Sequence, residues 1–185
     1  LPGYLPNDEI WEIDATYEDQ NLPAILLEKE VENQPTESYF TKTDIVTGEP
    51  VEGAKLQILD EEGTVVREWI TTKEEHLEYA LPAGNYILHE ELPPLEDGYV
   101  SAEDVSFEVK EDGTITKVEM KDDFSKVDIS KTDITGDTEL VGVKLQVLNS
   151  KEEVLDEWIS YGTEHPIEYL PVGEELTLRE TQTIS

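Results

Sequence analysis

Apolar and polar positions alternate in short runs along most of the chain, and each run stops at a cluster of turn residues. Over the middle of the sequence this alternation predicts strands at Tyr39–Ile45, Ala54–Leu59, Val65–Ile70, Leu77–Leu81, Tyr86–His89, Val105–Val109 and Ile115–Met120. The turns between them are Thr47-Gly48-Glu49-Pro50, Asp60-Glu61-Glu62-Gly63, Pro82-Ala83-Gly84-Asn85, Asp97-Gly98 and Asp112-Gly113. No stretch keeps the 3.6-residue period of an amphipathic helix. Short strands at this spacing predict an all-β antiparallel sandwich. Nearer the start, Glu9–Ile13 and Ala24–Val31 read as two further strands. A polar loop at 14–23 separates them, and Asn33-Gln34-Pro35-Thr36 follows as a linker.

The chain also repeats itself. Lys131-Thr132-Asp133 stands 89 residues after Lys42-Thr43-Asp44. The same offset relates Gly53 to Gly142, Lys55-Leu56-Gln57 to Lys144-Leu145-Gln146, and Trp69-Ile70 to Trp158-Ile159. It relates His76 to His165, Leu81-Pro82 to Leu170-Pro171, and Gly84 to Gly173. A repeat of this length marks two domains of one kind.

Residues 37–124 are a complete unit. Residues 125–185 repeat its first part and stop at Leu178-Arg179-Glu180-Thr181, equivalent to Leu88-His89-Glu90-Glu91. The two strands that should follow have their counterparts at the other end of the chain. Glu90 lies nine residues before Tyr99; counted across the ends from Ser185 to Leu1, Glu180 lies nine before Tyr4. Glu9–Ile13 then matches Val105–Val109, and Asn33 precedes Lys42 by nine residues as Asp122 precedes Lys131. Residues 1–36 are therefore expected to be the C-terminal strands of a domain whose N-terminal part is 125–185. A truncated upstream domain gives the same phase.

Composition narrows the function. The net charge of −32 argues against nucleic acid and anionic membrane as partners, since both are bound through Lys and Arg. With no cysteine there is neither a disulfide nor a thiolate metal site. Three Trp, eight Tyr and regular alternation set the chain apart from a disordered acidic tail. No apolar run is long enough to span a bilayer.

The order of the short motifs is specific although each alone is weak. Lys42-Thr43-Asp44, Gly53-Ala54-Lys55-Leu56-Gln57, Glu68-Trp69-Ile70, Leu81-Pro82-Ala83-Gly84-Asn85-Tyr86, Ile87-Leu88-His89-Glu90 and Asp97-Gly98-Tyr99 resemble the Cna protein B-type, or SpaA-like, domains of Gram-positive surface proteins and pilins. The resemblance implies tandem inverse immunoglobulin-like β-sandwiches in an elongated chain, and a cell-surface or cell-wall location. It also implies a self-made isopeptide bond between a Lys of the first strand and an Asp or Asn of the last, promoted by a buried Glu.

Carried over by position, Lys42 is the nucleophile, Glu90 the catalyst and Asp122 the acceptor, with Asp123 as its rival. In the second unit Lys131 and Glu180 hold the first two places, and Asn33 has the acceptor's Asn-x-Pro ending at the far end of the chain. The loop Leu92-Pro93-Pro94-Leu95-Glu96 is longer than the family's usual link.

The implied chemistry is plausible for buried groups. An exposed lysine amine is protonated at neutral pH and cannot attack. Burial disfavours charge on either partner, freeing an amine and keeping a carboxyl protonated. A protonated carboxyl can polarise the acceptor carbonyl and relay protons. Water leaves from an aspartate and ammonia from an asparagine. The turnover is single, so the chain is not an enzyme, and the reaction needs no cofactor.

Other residues get plainer readings. Trp69 and Trp158 are expected in the core near the bond, His76 and His165 in loops, and Asp60-Glu61-Glu62-Gly63 in a turn rather than a calcium loop. The functional reading is a structural stalk, fibre or pilus-shaft module. Its partners are copies of itself head to tail, or adjacent repeats, with any host ligand held by other domains. The alternatives are an adhesive or carbohydrate-binding surface domain and a hydrolase with paired carboxylates.

Overall fold

The computed structural model describes residues 1–12 and 30–183. The first unit has strands β1 (Glu37–Asp44), β2 (Lys55–Leu59), β3 (Val65–Ile70), β4 (His76–Tyr79), β5 (Gly84–Leu92), β6 (Val105–Val109) and β7 (Thr116–Asp122). They form two sheets, in the orders β4-β1-β7 and β3-β2-β5-β6. Every pairing is antiparallel except that of β1 with β7, which is parallel from Ser38↔Thr116 to Asp44↔Asp122.

Alternation decides which side chains face inward. In β1 the buried positions are Ser38, Phe40, Lys42 and Asp44; in β7 they are Val118, Met120 and Asp122; in β5 they are Tyr86, Leu88 and Glu90. Phe40, Leu56, Ile58, Leu81, Leu88 and Met120 are each at most 2% exposed and make the centre of the core. Each of these strands therefore starts on the apolar phase and ends with an ionisable residue on that same phase. The period of two puts those residues inside whatever their charge.

The second unit has β8 (Lys126–Ile129), β9 (Val141–Leu148), β10 (Val154–Tyr161), β11 (His165–Glu168) and β12 (Thr177–Thr183). Its sheets are β11-β8 and β10-β9-β12. Registers repeat those of the first unit: Ile129↔His165 matches Phe40↔His76, and Leu145↔Glu180 matches Leu56↔Glu90. Among the described residues, β8 has no neighbour in the place β7 holds beside β1. Likewise β12 has none in the place β6 holds beside β5. Val143, Leu145, Val147, Trp158, Ile167 and Leu170 form a smaller core.

Two sequence expectations need correction. Glu9–Trp11 and Glu12 are not in a strand, nor is Val31; Ile13 and Ala24–Lys29 lie outside the described residues. Alternation gives a segment the phase of a strand, but a strand needs a neighbouring backbone, and 9–12 has none among the described residues. His76 and His165 are strand residues, not loop residues. Each ring stacks on a tryptophan, His76 on Trp69 at 4.1 Å and His165 on Trp158 at 4.2 Å.

One joint is built twice. Between the units, Ser125 N–H donates to Gly98 O (2.8 Å), Tyr169 N–H to Ser125 O (3.0 Å) and Ser125 Oγ to Leu170 O (2.7 Å). Before the first unit, Thr36 N–H donates to Gly3 O (2.9 Å), Ala80 N–H to Thr36 O (3.0 Å) and Thr36 Oγ1 to Leu81 O (2.6 Å). Bridges Tyr99↔Phe124 and Tyr4↔Pro35 complete the two copies. Gly98 and Gly3 have positive φ, and a Cβ on either would overlap the backbone of Tyr169 or Ala80. The long 92–96 loop braces the first of these joints, since Val172 N–H donates to Leu95 O at 2.9 Å. No helix among the described residues is long and apolar enough to cross a membrane.

Candidate functional site

Three ionisable side chains meet between the sheets at one end of the first core. Lys42 comes from β1, Asp122 from the neighbouring β7, and Glu90 from β5 across the sandwich. Lys42 Nζ lies 3.0 Å from Glu90 Oε1 and directly against Asp122 Oδ1. Their side chains are at most 1% exposed. Glu90 Oε2 accepts from Ala102 N–H at 2.7 Å, which orients the carboxyl with its other oxygen toward the lysine.

The cluster is close but poorly satisfied. Lys42 Nζ lies at ion-pair distance from Glu90 Oε1 and Asp122 Oδ1, yet none of these atoms, nor Asp122 Oδ2, makes a well-formed hydrogen bond. Buried charges in that condition are costly. Burial pushes the Asp122 carboxyl up to about 6, with Glu90 adding to the rise and Lys42 opposing it. Asp123, the rival acceptor, faces the other way and accepts from Phe124 N–H and Lys126 Nζ. A cavity of about 90 Å³ lined by Phe40, Lys42, Trp69, Thr71 and His76 adjoins the lysine and can take a released water.

Comparison with known proteins matches residues 37–123 to the model of the SpaA prealbumin-like fold domain. Residues 37–123, just under half of the chain, are thus similar to that domain. Among solved structures, the Bacillus anthracis TIE protein is 27% identical, with a TM-score of 0.54 over 83% of this chain and 30% of that one. BcpA, the major pilin subunit of Bacillus cereus, is 17% identical (TM-score 0.44; 78% of this chain, 57% of that one). The shaft pilin SpaA of Lactobacillus rhamnosus GG is 14% identical (TM-score 0.41; 80% and 88%). The chain thus spans under a third of the TIE protein. No curated protein matches it.

Outside the SpaA-like domain, Lys131 and Glu180 also meet, with Nζ 3.2 Å from Oε2. Here the side chains are 32% and 42% exposed. Among the described residues no β7 equivalent covers them, so the pair is solvent-exposed here, where an ion pair contributes little. Asn33 is exposed and is not brought to this pair. It precedes β1 while Lys131 follows β7, and the parallel pairing of those strands puts their outer ends at opposite poles.

One residue of the site region was missed by the sequence reading. Asp44, the last residue of β1, is 2% exposed and pairs with Asp122 in register. Its Oδ1 accepts from Val46 N–H and Thr47 N–H, both at 2.8 Å. Its Oδ2 accepts from Tyr99 of its own unit (3.1 Å) and Tyr169 of the next (2.8 Å). Burial alone would raise the Asp44 pKa; the bonds from Thr47, Tyr169, Val46 and Tyr99 outweigh it and hold the carboxyl at about 2. Burial and Asp44 together push Tyr99 up to about 12. The repeated Lys-Thr-Asp motif was the available signal, but its partners lie 55 and 125 residues away.

The cluster makes a pH prediction. A neutral Asp122 and neutral Lys42 together hold as many protons as the charged pair, so the reactive fraction does not change with pH while one proton is shared. Below about 6 the Asp122 carboxyl is neutralised by a proton from solvent instead of by the proton it shares with the lysine. Amide formation should then slow toward tenfold per pH unit. Unfolded, unbonded chain kept in guanidinium and diluted into buffers from pH 4 to 9, with bonded mass followed over time, measures this. A rate that climbs steadily with pH, as for a free lysine, excludes Asp122 as the acceptor.

Proposed function

We propose that the chain is a structural stalk or pilus-shaft module of a Gram-positive cell surface, its SpaA-like domain closed by a self-formed Lys42–Asp122 isopeptide bond. The observation that carries this reading is the burial of Lys42, Asp122 and Glu90 where the first strand meets the last. Lys42 Nζ attacks Asp122 Cγ; the C–N bond forms, a C–O bond breaks, and the oxygen leaves as water with one proton from the acid and one from the amine. Glu90 holds and passes the proton that moves. The product is a neutral amide in place of a buried charged pair, which removes the cost of the unsatisfied cluster.

The mechanical consequence follows from topology. Tension enters the domain at β1 and leaves at β7. With those strands joined at Lys42 and Asp122, force passes through the amide and bypasses the residues between them. No pull on the ends can then unravel the domain. A module of this kind suits a load-bearing filament.

The second site extends the reading. Lys131 of one copy bonds Asn33 of the next, with Glu180 in the catalyst's place and ammonia released. The 1–36 segment supplies the closing strands of a 125–185 unit, either that of a neighbouring copy, a heterologous contact that grows rather than closes, or that of an adjacent repeat in one longer chain. Boiling the expressed chain in detergent tests this. A ladder of covalent multimers that disappears in Asn33→Ala is the expected result. A lone monomer band with 1–36 and 125–185 open to protease overturns it.

A further inference from the structure

The Lys42 site is covered differently on its two flanks. Toward β5 the 99–102 segment closes it, with Ala102 N–H donating to Glu90 and the Tyr99 hydroxyl to Asp44. Toward β3 and β4 no backbone ladder is present, because these are edge strands of different sheets. The cavity of about 90 Å³ that reaches Lys42 lies on this flank, lined also by Phe40, Trp69, Thr71, Glu75 and His76. Its size is enough for several waters.

Side chains alone close that flank. The His76 ring lies flat on Trp69, with 4.1 Å between centroids and 7° between planes. Both rings flank Phe40, which is two residues before Lys42 on the inward face of β1. His76 Nε2–H donates to Glu78 Oε1 at 2.8 Å, and Glu78 Oε2 accepts from Arg67 Nε–H at 3.2 Å, tying β4 back to β3. With its side chain 30% exposed, the imidazole stands between solvent and the cavity.

The second unit builds the same closure with a different acid. His165 stacks on Trp158 (4.2 Å, 12°), and its Nε2–H donates to Asp156 Oδ2 at 2.8 Å. By the 89-residue offset Asp156 stands where Arg67 does, and Ile167 where Glu78 does. The carboxylate has moved from β4 to β10, the counterpart of β3, while the held and stacked imidazole is unchanged. An arrangement reached from two different acids makes the position of the ring, rather than either ion pair, the common feature.

Resting on the Lys42–Asp122 reading, we propose that His76 is a positioning residue of the bond-forming site, a gate over the port between β3 and β4. Closed, it keeps bulk water from Lys42 and Asp122, so that burial favours the neutral, reactive form of the pair. The water made from an Asp122 oxygen and two protons leaves through the same port when the ring swings off Trp69. That movement breaks one hydrogen bond and one stacking contact at a partly exposed edge, and no backbone ladder has to open.

Two readouts on the full-length chain test the gate. The first needs no bond. Asp122→Ala leaves Lys42 free, and cyanate, which carbamylates neutral amines through small cyanic acid, probes access to it. Lys73, whose side chain is 76% exposed, is the internal reference. His76→Ala in this background should raise carbamylation of Lys42 relative to Lys73 about tenfold, since a gate held by one hydrogen bond and one stacked ring is open about a tenth of the time. His76→Phe, which keeps the stack, should raise it less. A bulky succinimidyl ester should gain no access to Lys42 in either variant; if it gains as much as cyanate, the domain has opened as a whole and the gate is overturned.

The second readout is the bond itself. In the chain with Asp122 intact, refolded from guanidinium, His76→Ala should slow bond formation about tenfold by hydrating the pair and favouring its charged form. His76→Phe should restore most of the rate. If the unsubstituted chain never bonds, the Lys42–Asp122 reading itself fails and the gate has no reaction to serve. If it bonds and His76→Ala leaves the cyanate ratio or the rate unchanged, the gate alone is overturned.

Discussion

The intact protein is expected to weigh one water less than its sequence, and Glu90→Ala to restore the full mass. Lys42 Nζ touches Asp122 Oδ1 in a site closed to solvent, so proximity and desolvation are already supplied. What the pair cannot do alone is move the proton. Glu90, fixed by Ala102 N–H and 3.0 Å from the lysine, is the one further acid in contact with it among the described residues. Removing that carboxyl leaves the two reactants in place with no proton relay. General acid–base groups of this kind contribute about 10²–10⁴ in rate, enough to leave the bond unformed over a preparation. High-resolution mass spectrometry of the boiled protein, followed by a digest that finds the branched Lys42–Asp122 peptide, decides the matter. A wild-type mass equal to the sequence would sink the bond, and a deficit that survives Glu90→Ala would remove Glu90 from its role.

Lys42→Ala is expected to lower the melting temperature of the SpaA-like domain by about 15–30 °C. A crosslink from β1 to β7 closes a loop of about eighty residues, and loops of that size restrain the unfolded chain by about 4 kcal/mol. For a domain of this length each kcal/mol shifts the midpoint by about 4–8 °C. The substitution also leaves Glu90 and Asp122 buried together without a cation, a further loss. Glu90→Ala separates the two effects, since it removes the bond while keeping the Lys42–Asp122 pair. Scanning calorimetry of the full-length chains should give the order wild type, Glu90→Ala, Lys42→Ala. Three coincident melting curves would show that no crosslink restrains this domain.

Sequence alone determined the strands of residues 37–123, because their alternation is regular and their turns carry Gly, Pro, Asn and Asp at the breaks. Val65–Ile70 and Val105–Val109 coincide with the predicted bounds, and β1, β2, β4, β5 and β7 differ at their ends. The inward phase of Lys42, Glu90 and Asp122 was legible from the same alternation, since a period of two fixes the face of every residue once one is known. Their role came from resemblance, not from pattern. An ionisable residue on an apolar phase signals something unusual without saying what.

Tertiary structure decided everything that depends on residues far apart meeting. Nothing in the spacing of Asp44, Tyr99 and Tyr169 says that one carboxylate joins two units. Nor does the alternation of Glu9–Ile13 reveal that residues 9–12 pair with no edge among the described residues. The stacking of His76 on Trp69 and His165 on Trp158 escaped for the same reason: an isolated histidine near a turn carries no local mark of a strand. The physical cause is common to all three. Strand phase is a local property of the backbone, whereas pairing, burial and hydrogen-bond partners are set by which segments the fold lays side by side.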